Sequence, residues 1–211
     1  MPTPLRLASI TTQGKPGAAK WGLCGRQAVI ASDSPLWNKP PMPHPLIVVG
    51  GVAGCGKSTL AAALAAALGV NFRDGDELHP DANKTKMAAG QPLTDADRAP
   101  WLAACAAQLA AWAAAGEGGV ISASALKRAY RDTLYAAHPR VRYVLISITP
   151  ELATARANAR PDHFWPAGLT ATQFTILEAP APDEPAMSVE ALWPTARQVA
   201  AVAEWVRQAC E

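Results

Sequence analysis

Hydrophobic and polar positions along the chain switch between two periods. Leu46-Ile-Val-Val-Gly50 is an unbroken apolar run, the pattern of a strand covered on both faces. Leu60, Leu64 and Leu68 then recur every four residues in an alanine background that stops at Gly69, which predicts a helix with a glycine at its C-terminal end. Val70–Arg73 predicts a short second strand, and Pro80–Gly90 a short polar helix. Thr94-Asp-Ala-Asp97 has the form of a capping box, opening a long helix that buries Leu102, Cys105, Leu109 and Trp112, with Pro100 at its true start or at a kink. Further along, the pattern predicts a strand at Gly119–Ser124, a basic helix at Lys127–Ala137, a strand at Val141–Ile148 and a helix at Pro150–Ala159. Arg160–Pro180 reads as irregular or briefly helical, Val189 as part of a last short strand, and Trp193–Cys210 as a closing helix. Strands alternating with helices predict an α/β fold, a parallel sheet with right-handed crossovers and helices on both faces. Ligands of such sheets bind beyond the carboxyl ends of the strands.

Residues 1–44 have no such period and hold seven of the 19 prolines. A segment of this kind buries too little apolar surface to offset its ordering entropy, so it is expected to be a disordered N-terminal extension, or sequence upstream of a true start near Met42. The folded domain is expected over residues 45–211. The net charge of the 211-residue chain is +2. The extension accounts for more than all of it, with Arg6, Lys15, Lys20, Arg26 and Lys39 against Asp33 alone. The remainder is slightly acidic, which gives no basis for nucleic-acid binding. No run of about 18 apolar residues exists to span a membrane. Cys24, Cys55, Cys105 and Cys210 are far apart and no histidine stands at metal spacing, so a reducing, cytoplasmic compartment is expected rather than a disulfide framework or a zinc site.

The chemistry begins directly after the first strand. Gly51-Val52-Ala53-Gly54-Cys55-Gly56-Lys57-Ser58-Thr59 fits G-x-x-x-x-G-K-[ST] between a predicted strand and a predicted helix, the context that a phosphate-binding P-loop requires. Its glycines let successive backbone N–H groups turn toward phosphate oxygens, and the helix N-terminus adds its positive end. Lys57 is expected to reach the outer phosphates of ATP, and Ser58 to ligate Mg²⁺. Cys55 is expected as a small filler of the loop, with a reactive thiol as the alternative. Asp74 and Asp76 close the second strand and should face the same mouth. Asp74 is assigned to the Mg²⁺ shell and Asp76 to the acceptor hydroxyl as base or orienter, against an alternative in which the pair forms an Asx turn. Lys127 and Arg131, four residues apart, are expected on one helix face at the cleft edge, with Arg98 entering from the long helix. Arg156 and Arg160 lead into a segment of lid type and are assigned to the charge on the transferred phosphoryl group. His79 and His163 are expected as hydrogen-bonding residues.

These blocks together resemble the bacterial-type gluconokinases. The resemblance rests on Asp74-Gly-Asp76-x-Leu-His79-Pro80, Asn83-Lys84-x-Lys86-Met87, Gly90-x-Pro-Leu93 and Asp97-Arg98-x-Pro100-Trp101-Leu102. Ser124-Ala-Leu-Lys127-x-x-Tyr130-Arg131-Asp132-x-Leu134, Arg160-x-x-His163-Phe164 and Gln173-Phe174-x-x-Leu177-Glu178-x-Pro180 extend it. It covers roughly Pro45 to Glu184. The resemblance implies a P-loop kinase fold with a small lid and phosphorylation of D-gluconate at its 6-hydroxyl by ATP. It further implies a gluconate site drawn from Asp76, His79, Arg98, Lys127 and Arg131, and homodimers, common in that family. Ala53 and Cys55 depart from the family's usual small polar loop residues, and Tyr135 stands where an arginine is usual, which predicts one missing contact to the anionic substrate. The alternative functions are a related small-molecule kinase, for shikimate, adenylyl sulfate or another sugar acid, and a nucleotide-binding protein that no longer transfers phosphate.

Overall fold

The computed structural model describes residues 44–159 and 169–209. The expectations placed on residues 1–43, Arg160 and His163 lie outside the described residues. Five parallel strands form one sheet in the order β2-β3-β1-β4-β5: β1 (Leu46–Gly50), β2 (Asn71–Asp74), β3 (Gly119–Ser122), β4 (Val141–Ser147) and β5 (Ala186–Glu190). The helices are α1 (Lys57–Leu68), α2 (Asp81–Ala88), α3 (Asp95–Ala114), α4 (Arg128–Tyr135), α5 (Pro150–Asn158), α6 (Leu169–Ile176) and α7 (Thr195–Gln208).

The central strand explains the apolar run. Every residue of β1 is buried, and its side chains divide by the period of two between two cores. Ile47 and Val49 pack with Leu60 and Leu64 of α1, Val189 of β5 and Val202 of α7. Leu46 and Val48 pack on the other face with Trp101, Leu102, Cys105 and Leu109 of α3 and Leu134 of α4. The register sets Val48 beside both Ile121 and Tyr143. The carboxyl ends of β2, β3 and β1 therefore emerge side by side, and those of β4 and β5 emerge beyond them.

Several boundaries differ from expectation, three of them for plain local reasons. Val70 closes α1 instead of opening β2: Gly69 turns left-handed at φ 65° and the Val70 N–H returns to the Ala65 carbonyl at 3.0 Å. The strand thus runs one residue later and carries Asp74 into register with Ser122. Pro100 neither starts nor delimits α3, because Thr94 and Asp97 close a full capping box six residues upstream. The N–H that Pro100 lacks would have served the carbonyl of Ala96, an exposed residue in the first turn of the helix. The closing helix starts at Thr195 rather than Trp193, with Pro194 as its N-cap.

Candidate active site

The loop from Gly51 to Gly56 joins β1 to α1 and turns on glycines that other residues could not replace. Gly54 and Gly56 hold φ at 79° and 101°, and a Cβ on Gly54 would stand 2.3 Å from the Ala153 carbonyl oxygen of α5. Lys57 folds back over this loop, its Nζ donating to the Val52 carbonyl at 3.0 Å. Val52 and Cys55 are buried, and Cys55 fills space beneath the loop: a Cβ on Gly51 would meet its Sγ at 2.8 Å. The small-filler reading fits this placement, and burial opposes the reactive-thiol alternative.

A cavity of about 620 Å³ opens on one side of the loop. Ala53, Gly54, Gly56, Lys57 and Ser58 line it, and Asp76, His79 and Arg98 line it too. Among the sequence-assigned residues these eight come together. Gly75 draws Asp76 inward, since it packs so tightly on β3 that a Cβ would lie 2.3 Å from the Ser122 carbonyl oxygen. Trp101 fixes the same turn from α3 by donating its Nε1 proton to the Gly75 carbonyl at 2.8 Å. His79 lies flat against Trp101, with ring centroids 4.5 Å apart and planes 9° from parallel. Its Nδ1 is 3.2 Å from the Asn83 side-chain amide nitrogen, which can only donate, so the ring proton sits on Nε2. Burial, with Arg98 and then Lys84 adding to it, pushes the His79 pKa down to about 4 and keeps the ring neutral.

Arg98 is held in place through its neighbour. Asp97 accepts from Thr94 N at 2.9 Å and from Lys86 Nζ at 2.6 Å, while its carbonyl takes the Asn83 amide at 2.7 Å. The Lys86 contact first, and then those of Thr94, lower the Asp97 pKa to about 2, and the Lys86 and Asn83 contacts tie α2 to the start of α3. The guanidinium that follows lies over Tyr130, 6.0 Å from the ring centroid. Its Nε is buried and finds no hydrogen-bond partner among the described residues. A buried donor without a partner costs about 1–3 kcal/mol, and an anionic ligand would supply what it lacks.

The geometry corrects the placement of Arg131, Lys127 and Asp74. Arg131 does not reach the cleft: it is 1% exposed, and its Nε and Nη2 grip Glu184 at 2.6 and 2.8 Å. Its Nη1 donates to the Leu126 and Glu178 carbonyls. The four-residue spacing failed because Lys127 is the extended N-cap of α4 (φ −93°, ψ 153°), so the two residues share no helix face. Lys127 itself lies outside the cavity lining, its Nζ bound to both Asp95 carboxylate oxygens at 2.9 and 2.8 Å beside Tyr130. Asp74 is also absent from the lining. Its Oδ1 caps the 3₁₀ turn Gly75–Leu78 through Asp76 N at 3.1 Å and takes the Ser122 hydroxyl at 2.9 Å, the Asx-turn alternative. Arg156 is not part of the larger cavity's lining. It lines a second one of about 390 Å³ with Cys55, Thr59 and the Ala191–Gln198 segment, and donates to the Ala191 carbonyl at 3.2 Å. Tyr135 leaves no gap in the cleft, because its hydroxyl is 3.3 Å from Glu184 Oε2 in the interior.

Sequence reasoning gave no role to Gln173, whose Oε1 accepts the Ala53 N–H at 2.6 Å across 120 residues of chain. No local signal could have pointed to that contact. Among the described residues no cluster of three His, Cys, Asp or Glu could hold a metal ion. A divalent cation would therefore take its ligands chiefly from phosphate oxygens and water, with the exposed Ser58 hydroxyl at the cavity wall as the protein's contribution. No described helix is long and apolar enough to cross a membrane.

A family profile described as "AAA domain" matches residues 46–176. The chain is 48% identical over 143 residues to a gluconokinase of Gluconobacter oxydans, covering 68% of this chain and 80% of that one. It is 39% identical over 141 residues to the thermoresistant gluconokinase of Escherichia coli, covering 67% and 81%. Among solved structures, a gluconokinase from Sinorhizobium meliloti superposes with a TM-score of 0.72 at 39% identity, over 80% of this chain and 94% of the other.

Proposed function

The chain belongs to the gluconokinase family, and we propose that residues 45–211 form a cytoplasmic enzyme that transfers the terminal phosphoryl group of ATP to the 6-hydroxyl of D-gluconate. The observation that carries the proposal is Arg98: half-buried on the wall of the cavity that Asp76 and the phosphate loop also line, with an Nε that is buried and finds no hydrogen-bond partner among the described residues. That arrangement suits an acceptor that is both an anion and an alcohol. The second cavity, beside the loop and lined by Arg156, Leu192 and Trp193, suits the nucleoside.

In the proposed reaction Arg98 holds the gluconate carboxylate, and neutral His79 offers its Nε2 proton to a substrate hydroxyl. Asp76 accepts the proton of the 6-hydroxyl as that oxygen forms its bond to the terminal phosphorus. The bond from that phosphorus to the bridging oxygen breaks, and ADP leaves with the electron pair. The backbone N–H groups of the loop and Lys57, released from the Val52 carbonyl, stabilise the charge on the phosphoryl oxygens. Mg²⁺, when bound with ATP, adds charge neutralisation, and Ser58 is the residue that would hold it. Lys127 is proposed to order the mouth through Asp95 and Tyr130.

Phosphorus NMR of the product, with ADP release followed across a panel of sugar acids and shikimate, tests the reading. A 6-phosphogluconate signal with gluconate as the best acceptor is expected. Turnover with another acceptor only, or nucleotide binding without turnover with any, would overturn it.

A further inference from the structure

The Ala53–Gln173 contact has a consequence for which nucleotide the loop prefers, and it rests on the reading above of which cavity holds what. Ala53 lines the larger cavity and is absent from the lining of the smaller, whereas Cys55 and Thr59 line only the smaller. With the nucleoside in the smaller cavity and the acceptor in the larger, the phosphate that reaches the Ala53 N–H is the outermost one. That N–H is already taken by Gln173 Oε1 at 2.6 Å. A backbone amide has one proton, so a phosphate oxygen and the glutamine carbonyl compete for it, and the charged acceptor makes the stronger bond.

We propose that Gln173 sits in the terminal-phosphate position of the loop whenever ATP is absent, and so sets the balance between ATP and ADP at this site. ATP must displace the side chain, and ADP need not. Once the phosphoryl group has moved to the acceptor and the product has left, Gln173 retakes the Ala53 N–H. The helix that carries it is anchored: Phe174 and the following Leu177 pack against the core. Thr172, Gln173 and Thr175 face the cavity, so displacement is a change of side-chain rotamer.

Calorimetric titration of wild type, Gln173→Ala and Gln173→Glu with ADP and with a non-hydrolysable ATP analogue tests the proposal. Gln173→Ala removes the competitor and is expected to tighten the triphosphate by about three- to tenfold, the worth of one neutral hydrogen bond, with ADP within about twofold of wild type. Gln173→Glu keeps the shape and adds a negative charge, so the triphosphate should weaken by about tenfold or more and ADP by less. The glutamate variant also keeps the test open if the alanine variant fails to fold. An unchanged or weakened triphosphate affinity in Gln173→Ala, or equal shifts for both nucleotides, would overturn the proposal. If wild type binds neither nucleotide, the nucleotide reading of the two cavities falls first and this one with it.

Discussion

Replacing Arg131 by methionine separates a structural arginine from a substrate-binding one. Its guanidinium makes two bonds to Glu184 and two to backbone carbonyls. It also lies 5.4 Å from the Tyr143 ring centroid. Glu184 has a fully buried side chain, and the arginine holds its pKa below the usual carboxylate range. Removing one member of a buried pair typically costs about 3–5 kcal/mol, because the remaining charge is left in the interior. Arg128 Nη1 stands 3.6 Å from Glu184 Oε1 and compensates in part, so the lower end, about 3 kcal/mol, is expected. For a domain of this size that lowers Tm by about 6–12 °C. The double variant Arg131→Met/Glu184→Leu should recover about 1–2 kcal/mol, since no charge then stays buried. Urea unfolding measures the loss, and steady-state kinetics well below the new Tm should give a gluconate KM within about threefold of wild type. A variant of native stability with a KM raised tenfold or more would refute the reasoning and return Arg131 to the substrate site.

His79 makes stability depend on pH. Its folded pKa near 4 lies below its ordinary 6.5, so between those values the unfolded chain takes up a proton that the folded one refuses. Stability should fall as pH drops through that window, by up to about 3 kcal/mol, and His79→Gln should flatten the slope in urea midpoints at pH 7 and 4.5; an identical slope would remove the assignment. Gly54→Ala would press a methyl into the Ala153 carbonyl at a φ that alanine avoids, so nucleotide binding by calorimetry should weaken by tenfold or more, and native affinity would contradict the packing. Lys57→Ala should lower kcat by about two decades, the scale of one transition-state contact. A kcat within threefold of wild type would exclude the lysine from the chemistry.

Much of the sheet was legible because α1 repeats its leucines every four residues and the central strand β1 is an unbroken apolar run. The phosphate loop was legible because its glycines and lysine must be contiguous. Residues whose role depends on distant partners were not. Arg131 pairs with Glu184 across 53 positions. Its spacing from Lys127 suggested a shared face only because the helix start, one residue beyond Lys127, was not visible in the sequence. Asp74 and Asp76 looked alike as a carboxylate pair, and only the tight packing of Gly75 on β3 separates the turn-capping residue from the one that lines the cavity. The contact of Gln173 with Ala53 joins residues 120 apart and left no trace in either local sequence.

The central claim is that Asp76 receives the proton of the acceptor hydroxyl across the cavity from the phosphate loop. Asp76→Asn keeps the shape of the side chain and removes its basicity, so kcat for gluconate phosphorylation should fall by about 10²–10⁴-fold while ADP binds with wild-type affinity. A kcat within threefold of wild type, in a variant that still binds ADP, would contradict it.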